Sequence, residues 1–225
     1  MTTTHLAADW NRLGGTFIDA IGDTLVMVSL TMIFGGIGGL LIGLLLYTSR
    51  AGGILQSKPI YWVLNVLVNF VRPIPFIILI AMLAPVTLQF IGTTIGRSAA
   101  TFVMCIAAAF AVARIVEQNL VAIDPGVIEA ARAMGASPWR IIRTVIIPEA
   151  LGPLVLGYTF IFIAVVDMSA MAGYIGGGGL GDFAIVYGYR AYDYEVTYAA
   201  VIVIVIIVQL AQLFGNWLSR RIMRR

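Results

Sequence analysis

The sequence predicts an all-α integral membrane protein with five transmembrane helices, its N-terminus outside and its C-terminus inside the cell. Composition indicates this fold class, because 60% of the 225 residues are hydrophobic and only 11% are charged. A soluble domain carries about 25% charged residues. The apolar residues also form long runs without an Asp, Glu, Lys, Arg or His side chain, namely Thr24–Ser49, Pro73–Gly96 and Val196–Ser219. A run of about 20 such residues can cross the hydrocarbon core as a helix.

Residues 1–19 precede the first predicted span. They lack the basic start and the small-residue cleavage site of a signal peptide. Trp10 and Phe17 favour a periplasmic or interfacial segment, and a disordered start is the alternative. The transmembrane domain is predicted over residues 20–213, and a basic cytoplasmic tail over residues 214–225.

The five predicted spans cover residues 24–48, 60–84, 97–115, 150–172 and 196–218. We interpret the second as one long helix interrupted by Pro73 and Pro75, because residues 59–71 alone are too short to span a bilayer. Arg72 then lies either within this helix or at its cytoplasmic approach.

The first span is rich in glycine, and small residues allow helices in a membrane to approach closely. The glycines concerned are Gly35, Gly36, Gly38, Gly39 and Gly43. The sequence is compatible with packing inside one subunit and with packing between two.

The distribution of basic residues predicts the orientation, since cytoplasmic loops carry the excess of Lys and Arg. With the N-terminus outside, ten basic residues fall on the inner side, namely Arg50, Lys58, Arg114, Arg132, Arg140, Arg143, Arg220, Arg221, Arg224 and Arg225. Only Arg12, Arg97 and Arg190 fall outside. The net charge of +3 therefore indicates membrane topology and not nucleic-acid binding.

Several kinds of chemistry are missing from the sequence. His5 is the only histidine, so no histidine-based metal or catalytic cluster is predicted, and no cofactor is expected. Lys58 is the only lysine and lies outside any GxxxxGK[ST] phosphate loop, so the chain has no recognisable ATP site. Cys105 is the only cysteine and cannot form an intrachain disulfide.

A glycine cluster follows the fourth predicted span. Gly176, Gly178 and Gly181 satisfy the GxGxxG pattern of dinucleotide-binding proteins. That pattern requires a preceding β-strand within a βαβ unit, whereas this one follows a membrane helix. We therefore predict a tight non-helical turn near the outer face, where glycines permit a positive φ.

The loop between the third and fourth spans, Glu117–Glu149, contains clear helix start and stop signals. Asp124 followed by Pro125 is a typical helix start, and Gly135 is a typical stop. Ser137 and the proline after it start a second helix that is expected to run toward Pro148. The loop is thus predicted to hold two short helices joined at an angle by Gly135 and Ala136.

Two interpretations of this helical loop are open from its residues alone. It is either a hairpin packed on its own membrane domain or a docking surface for a cytoplasmic partner. The alanines of the first helix would allow close approach, while Ile128 and Met134 would supply apolar contact. A transporter without its own ATP site would require such a partner.

The loop resembles the EAA loop of ABC importer permeases, usually written EAA-x3-G-x9-I-x-L-P. The matching residues are Glu129, Ala130, Ala131, Gly135, Val145, Ile147 and Pro148. Val145 and Ile147 replace the consensus Ile and Leu conservatively. In that family the loop forms the coupling helices that seat in a groove of the ATPase subunit. The resemblance therefore implies a type I ABC importer permease fold, with Glu129, Ala130, Ala131, Gly135 and Pro148 in the ATPase-coupling role.

The resemblance extends over nearly the whole chain and is greatest to methionine importer permeases. It is carried by Asn69–Leu79, Gly92–Gly96, Ala113–Asn119, Ser169–Gly173 and Tyr187–Tyr189. The family implies two cytoplasmic ATPase subunits, a periplasmic or lipid-anchored binding protein, and a second copy of this chain in the inner membrane. The implied function is alternating access for an amino acid, with ATP hydrolysed by the separate subunit and no enzyme activity in this chain.

Two alternatives to a methionine permease remain at this stage. One is a permease of the same architecture for another amino acid or small solute. The other is a channel or scaffold bundle that works without an ATPase, which the EAA loop disfavours.

Asp167, Ser169 and Met171 form the candidate translocation path within the fourth span. An acid in a membrane helix is costly and by default indicates function. The alternative for Asp167 is a hydrated or hydrogen-bonded position where the helix loosens toward the glycine cluster. For Met171 ordinary packing is the favoured interpretation, and a methionine-lined path is the alternative.

Overall fold

The computed structural model describes residues 8–223, and within them every regular element is helical. The α-helices are α1 Trp10–Leu30, α2 Gly36–Ser49, α3 Lys58–Val71, α4 Phe76–Ile91, α5 Arg97–Val121, α6 Pro125–Ala133, α7 Pro138–Ile141, α8 Ile147–Tyr174, α9 Gly179–Phe183 and α10 Tyr194–Met223. Wider π-helical turns at Thr31–Gly35, Ile142–Ile146 and Ala184–Tyr189 join α1 to α2, α7 to α8, and α9 to the segment before α10.

Four helical runs are long and apolar enough to cross a membrane among the described residues. They are Trp10–Ser49, Arg97–Val121, Pro138–Tyr174 and Tyr194–Met223. Helices α3 and α4 satisfy the same test as a pair, which gives a fifth span if the two are counted as one. The all-helical fold with about five spans agrees with the prediction.

The first helix begins at Trp10, well before the predicted start of the first span near residue 24. Trp10 and Phe17 therefore lie on α1 itself, with their ring centroids 5.6 Å apart. The Trp10 indole donates a hydrogen bond of 2.9 Å to Glu195 at the start of α10. Residues 10–19 are therefore part of α1, and their periplasmic or interfacial position stays a prediction. The first seven residues of that predicted segment lie outside the described residues.

The predicted second span is two helices and not one. Helix α3 ends at Val71, and α4 begins at Phe76 after a sharply bent break. Pro73 cannot donate a helical hydrogen bond, and Pro75 has an extended backbone with ψ 137°. The two prolines thus divide the helix, and exposed Arg72 lies at the break.

The chain divides into two compact units, each with its own apolar core. One unit comprises the residues up to Ile33, Pro75–Ile106 and Phe162–Leu210, and its core centres on Leu180 and Phe183. The other comprises Phe34–Ile74, Ala107–Ile161 and the residues from Ala211 onward. Its core includes Leu46, Val68 and Ala113.

Two glycines of α2 pack directly against α5 within the second unit. A Cβ placed on Gly39 would lie 2.5 Å from the Val112 Cβ, and one on Gly43 would lie 2.6 Å from the Val116 Cβ. Only glycine allows this separation of the two backbones. The glycines at these two positions thus pack inside one chain, which decides part of the question that the sequence left open.

Candidate functional site

The first loop helix, α6, begins as its sequence predicts. The Asp124 carboxylate accepts a 2.8 Å hydrogen bond from the Gly126 backbone N–H, and Pro125 occupies the first turn. This cap satisfies one of the N–H groups that a helix start leaves without a partner.

Helix α6 ends in a Schellman motif at Gly135. Gly135 has φ +76°, its N–H donates to the Arg132 carbonyl, and the Ala136 N–H donates to the Ala131 carbonyl. Both bonds satisfy carbonyls that the end of the helix leaves free, and the positive φ suits glycine. The predicted stop at Gly135 is confirmed.

The second loop helix starts at the predicted position but does not stop near Pro148. Ser137 accepts a hydrogen bond from the Arg140 N–H, and the helix then continues without a break from Pro138 to Tyr174. The π-helical turn at Ile142–Ile146 explains the continuity. The Ile147 N–H donates to the Ile142 carbonyl, five residues back, so Pro148 enters where the ladder is already widened. The prediction of two short helices is therefore wrong for the second one.

The predicted coupling residues differ in exposure. Glu129, Ala130 and Gly135 are exposed, whereas Ala131 is buried. Ala131 therefore anchors α6 to its own chain, and the first three form an outward surface. Pro148 is exposed as well, but it lies on the long helix and not on α6.

Two large apolar side chains project from the same loop. Met134 is 81% exposed and Trp139 is 70% exposed, on either side of the Gly135 turn. Exposed apolar side chains of this size are available for contact with another protein. The sequence predicted an apolar contact for Met134 but not for Trp139. The position of Trp139, directly after the Ser-Pro start of the second loop helix, was the signal available in the sequence. We call Glu129, Ala130, Met134, Gly135 and Trp139 the loop surface.

The candidate path residues on α8 do not form one cluster. Asp167 is exposed and Met171 is half-buried one helical turn further on, on the same side. Ser169 is buried, and its hydroxyl donates a 2.7 Å hydrogen bond to the Val166 carbonyl of its own helix. The geometry therefore groups Asp167 with Met171 and separates Ser169 from both.

A polar network between α3 and α5 was not predicted. The Arg114 guanidinium donates to Glu117 at 2.5 Å, to Asn65 at 3.1 Å and to Asn69. Side-chain exposure is 16% for Arg114 and 8% for Glu117, so the ion pair is largely buried. The signal in the sequence was the spacing of Asn65 and Asn69, four residues apart, which places two amides on one face of α3.

The glycine cluster forms the predicted non-helical turn at Gly176 and Gly178, whereas Gly181 lies within α9. Gly176, Gly178 and Gly179 all have positive φ values, between 77° and 85°. The Leu180 N–H in the following helix donates a 2.8 Å hydrogen bond to the Thr24 hydroxyl of α1. Partial burial raises the pKa of the nearby Asp182 carboxyl, and the positive charge of Arg190 lowers it by a smaller amount. The glycines at this turn are therefore explained by its backbone conformation, as the sequence predicted.

Comparison with known proteins adds a family and several relatives. Residues 35–225 match the family described as "Binding-protein-dependent transport system inner membrane component". The chain is 38% identical over 219 residues to a "Probable D-methionine transport system permease protein MetI" of Vibrio cholerae, covering 97% of each chain. It is 41% identical to a "Methionine import system permease protein MetP" of Bacillus subtilis, covering 80% of this chain and 82% of that protein.

Solved structures agree in fold. An inward-facing structure of the MetNI methionine ABC transporter matches with a TM-score of 0.90 and 39% identity, over 94% of this chain and 98% of that one. An amino acid ABC transporter crystallised with histidines matches with a TM-score of 0.79 and 25% identity, over 98% of this chain and 100% of that one.

Proposed function

Because this chain belongs to the family of inner-membrane components of binding-protein-dependent transport systems, we propose that it forms the path for methionine in an ATP-driven importer. The observation that carries the substrate is the 38% identity to a D-methionine permease along 97% of both chains. The 0.90 TM-score to the methionine transporter supports the same substrate class.

The loop surface is proposed as the contact with a cytoplasmic ATPase subunit. Its support is the combination of an acid, two exposed apolar side chains and a turn fixed by the Schellman motif at Gly135. A rigid turn transmits a displacement to the membrane helices better than a mobile loop does. The long helix from Pro138 to Tyr174 strengthens this argument, since it connects the loop directly to the membrane region.

The complete importer is proposed to contain two copies of this chain, two ATPase subunits and a substrate-binding protein on the outer side. ATP binding would close the ATPase pair and move both loop surfaces, which would switch the helices between inward and outward openings. Selectivity for the amino acid would come largely from the binding protein, which delivers it.

The test is ATP-driven uptake of labelled methionine in proteoliposomes that contain this chain, its co-purified ATPase and the matching binding protein. We expect uptake that unlabelled methionine competes away and other amino acids do not. L- and D-methionine are measured in parallel, because several relatives are named for the D form. Uptake of another solute would support the importer but exclude methionine as its substrate. The absence of a co-purifying ATPase would contradict the proposal that the chain belongs to an ATP-driven importer.

A further inference from the structure

An open pocket lies beside the polar network of α3 and α5. It has a volume of about 470 Å³ and is lined by Asn69, Arg72, Arg114, Glu117, Gln118 and Val121. This volume lies within the range of ligand clefts, roughly 300–1,000 Å³. We call it the Arg72 pocket. All of its lining residues belong to one compact unit of the chain.

The charges in this pocket do not balance. The Glu117 carboxylate is paired with the Arg114 guanidinium, which also donates hydrogen bonds to Asn65 and Asn69 of α3. Arg72 is exposed and forms no ion pair or side-chain hydrogen bond with residues 8–223. The pocket thus has one guanidinium that is free to bind an anion.

The location of the pocket indicates that it faces water. Arg114, Glu117, Gln118 and Val121 lie on α5, which is long and apolar enough to cross a membrane. Asn69 lies on α3, which is so only together with α4, and Arg72 lies at the break between these two helices. Charged side chains in such helices face the bundle interior or an aqueous cavity and not lipid. Another face of α3 suits lipid, because Trp62, Val66 and Phe70 are exposed there. The break after Arg72 is a second indication, since transporters commonly bind substrate at interrupted membrane helices.

We infer that the Arg72 pocket is a subsite of the translocation path in which Arg72 binds the α-carboxylate of the amino acid. A guanidinium matches a carboxylate with two parallel hydrogen bonds. The Gln118 amide, exposed at the rim, can donate another. The Arg114–Glu117 pair does not contact the substrate in this arrangement; it positions Asn69 and keeps α3 against α5. The inference rests on the proposed function, because it takes the transported solute to be an amino acid.

The first experiment measures occupancy of the pocket. Val121→Cys, at an exposed position that lines the pocket, is introduced together with Cys105→Ser into the permease–ATPase complex without binding protein. The rate of its reaction with a soluble thiol reagent is followed. We expect millimolar methionine to slow labelling, and methionine methyl ester, which lacks the carboxylate, to have no effect. Adding Arg72→Gln should remove the protection. Equal protection by acid and ester, or protection that survives Arg72→Gln, would overturn the assignment.

The second experiment measures transport in proteoliposomes with the binding protein present. Loss of a charged hydrogen-bonding partner should lower methionine uptake by Arg72→Gln about tenfold to a hundredfold, while stimulation of ATP hydrolysis by the binding protein persists. Arg72→Lys should recover part of the uptake. Lys58→Gln is the matched control, since it removes one positive charge from the other end of α3 and should transport normally.

A lipid phosphate offers the same anionic oxygens as a carboxylate, and vesicle composition separates the two. The variants are compared in phosphatidylcholine vesicles with and without phosphatidylglycerol. A transport defect of Arg72→Gln in both vesicles supports the carboxylate, whereas a defect confined to anionic vesicles would overturn it. If the wild type takes up methionine and Arg72→Gln does so equally well, the subsite is excluded while the proposed function stands. Absent wild-type uptake would instead contradict the proposed function.

Discussion

Gly135 is the residue on which the shape of the loop surface depends most directly. Its φ of +76° costs most residues with a β-carbon about 1–2 kcal/mol, and asparagine less, although a Cβ at this position would meet no atom within 4 Å. A side chain at this position would therefore strain the backbone conformation, but it would not overlap with other atoms of the chain.

We expect Gly135→Trp to insert into the membrane normally and to abolish uptake, because the indole would occupy the proposed ATPase contact and strain the turn. Gly135→Asn is the control, since asparagine tolerates the left-handed conformation and should keep most of the uptake. Membrane fractionation and methionine uptake are measured together. Normal ATP-driven uptake by the tryptophan variant would exclude the coupling role.

Asp167 is exposed on α8 and forms no ion pair with any other residue of the described part of the chain. A carboxylate in that position needs water or a partner from outside this chain. We expect Asp167→Asn to reduce methionine uptake several-fold without lowering the amount of inserted protein. Asp19→Asn, on the exposed side of α1, is the control and should transport as the wild type does. Unchanged uptake by Asp167→Asn would remove this residue from the path.

At the scale of helix pairs, the contact of α2 with α5 depends on the missing side chains of Gly39 and Gly43. Leucine at Gly39 should destabilise the chain by about 1–3 kcal/mol, because its Cβ would overlap Val112 and the Ala109 carbonyl. The melting temperature in detergent is measured. Gly38→Ala is the control, since its Cβ would lie at an ordinary 3.7 Å from the Ala109 Cβ. Equal melting temperatures for both variants would contradict the close packing.

The ion pair between Arg114 and Glu117 ties α5 to α3 through the two asparagines. Arg114→Met should destabilise the chain by about 3–5 kcal/mol, because the Glu117 carboxylate would remain buried without its partner. The double variant Arg114→Met with Glu117→Met should recover part of this loss, since it leaves no buried charge. Thermal unfolding of the three proteins is compared. A single variant as stable as the wild type would show that the pair is hydrated and not buried.

For the molecule as a whole, the orientation in the membrane remains a prediction from the basic residues. We expect a fluorescent protein fused after Arg225 to be bright, because it folds in the cytoplasm, and alkaline phosphatase at the same position to be inactive. Fusions within the glycine turn near Gly178 should give the opposite result. Bright fluorescence at both positions would contradict five spans with the N-terminus outside.

Much of the fold was predictable because its signals are local. Apolar runs determine spans through the thickness of the bilayer, and the cap at Asp124 and the stop at Gly135 depend on neighbouring residues only. The same locality explains one error, since Pro148 was expected to end a helix. The π-helical turn before it allows the helix to continue, and such a turn has no simple sequence signature.

The sequence by itself thus determined the membrane class, the helical loop and the family resemblance, because each depends on composition or on residues close together in the chain. The tertiary structure alone decided which faces meet. It brought Arg114 to Asn65, 49 positions away, and separated Ser169 from Asp167 by burying one and exposing the other. Such pairings depend on which helices pack together and on the rotation of each about its axis, and no local pattern encodes either.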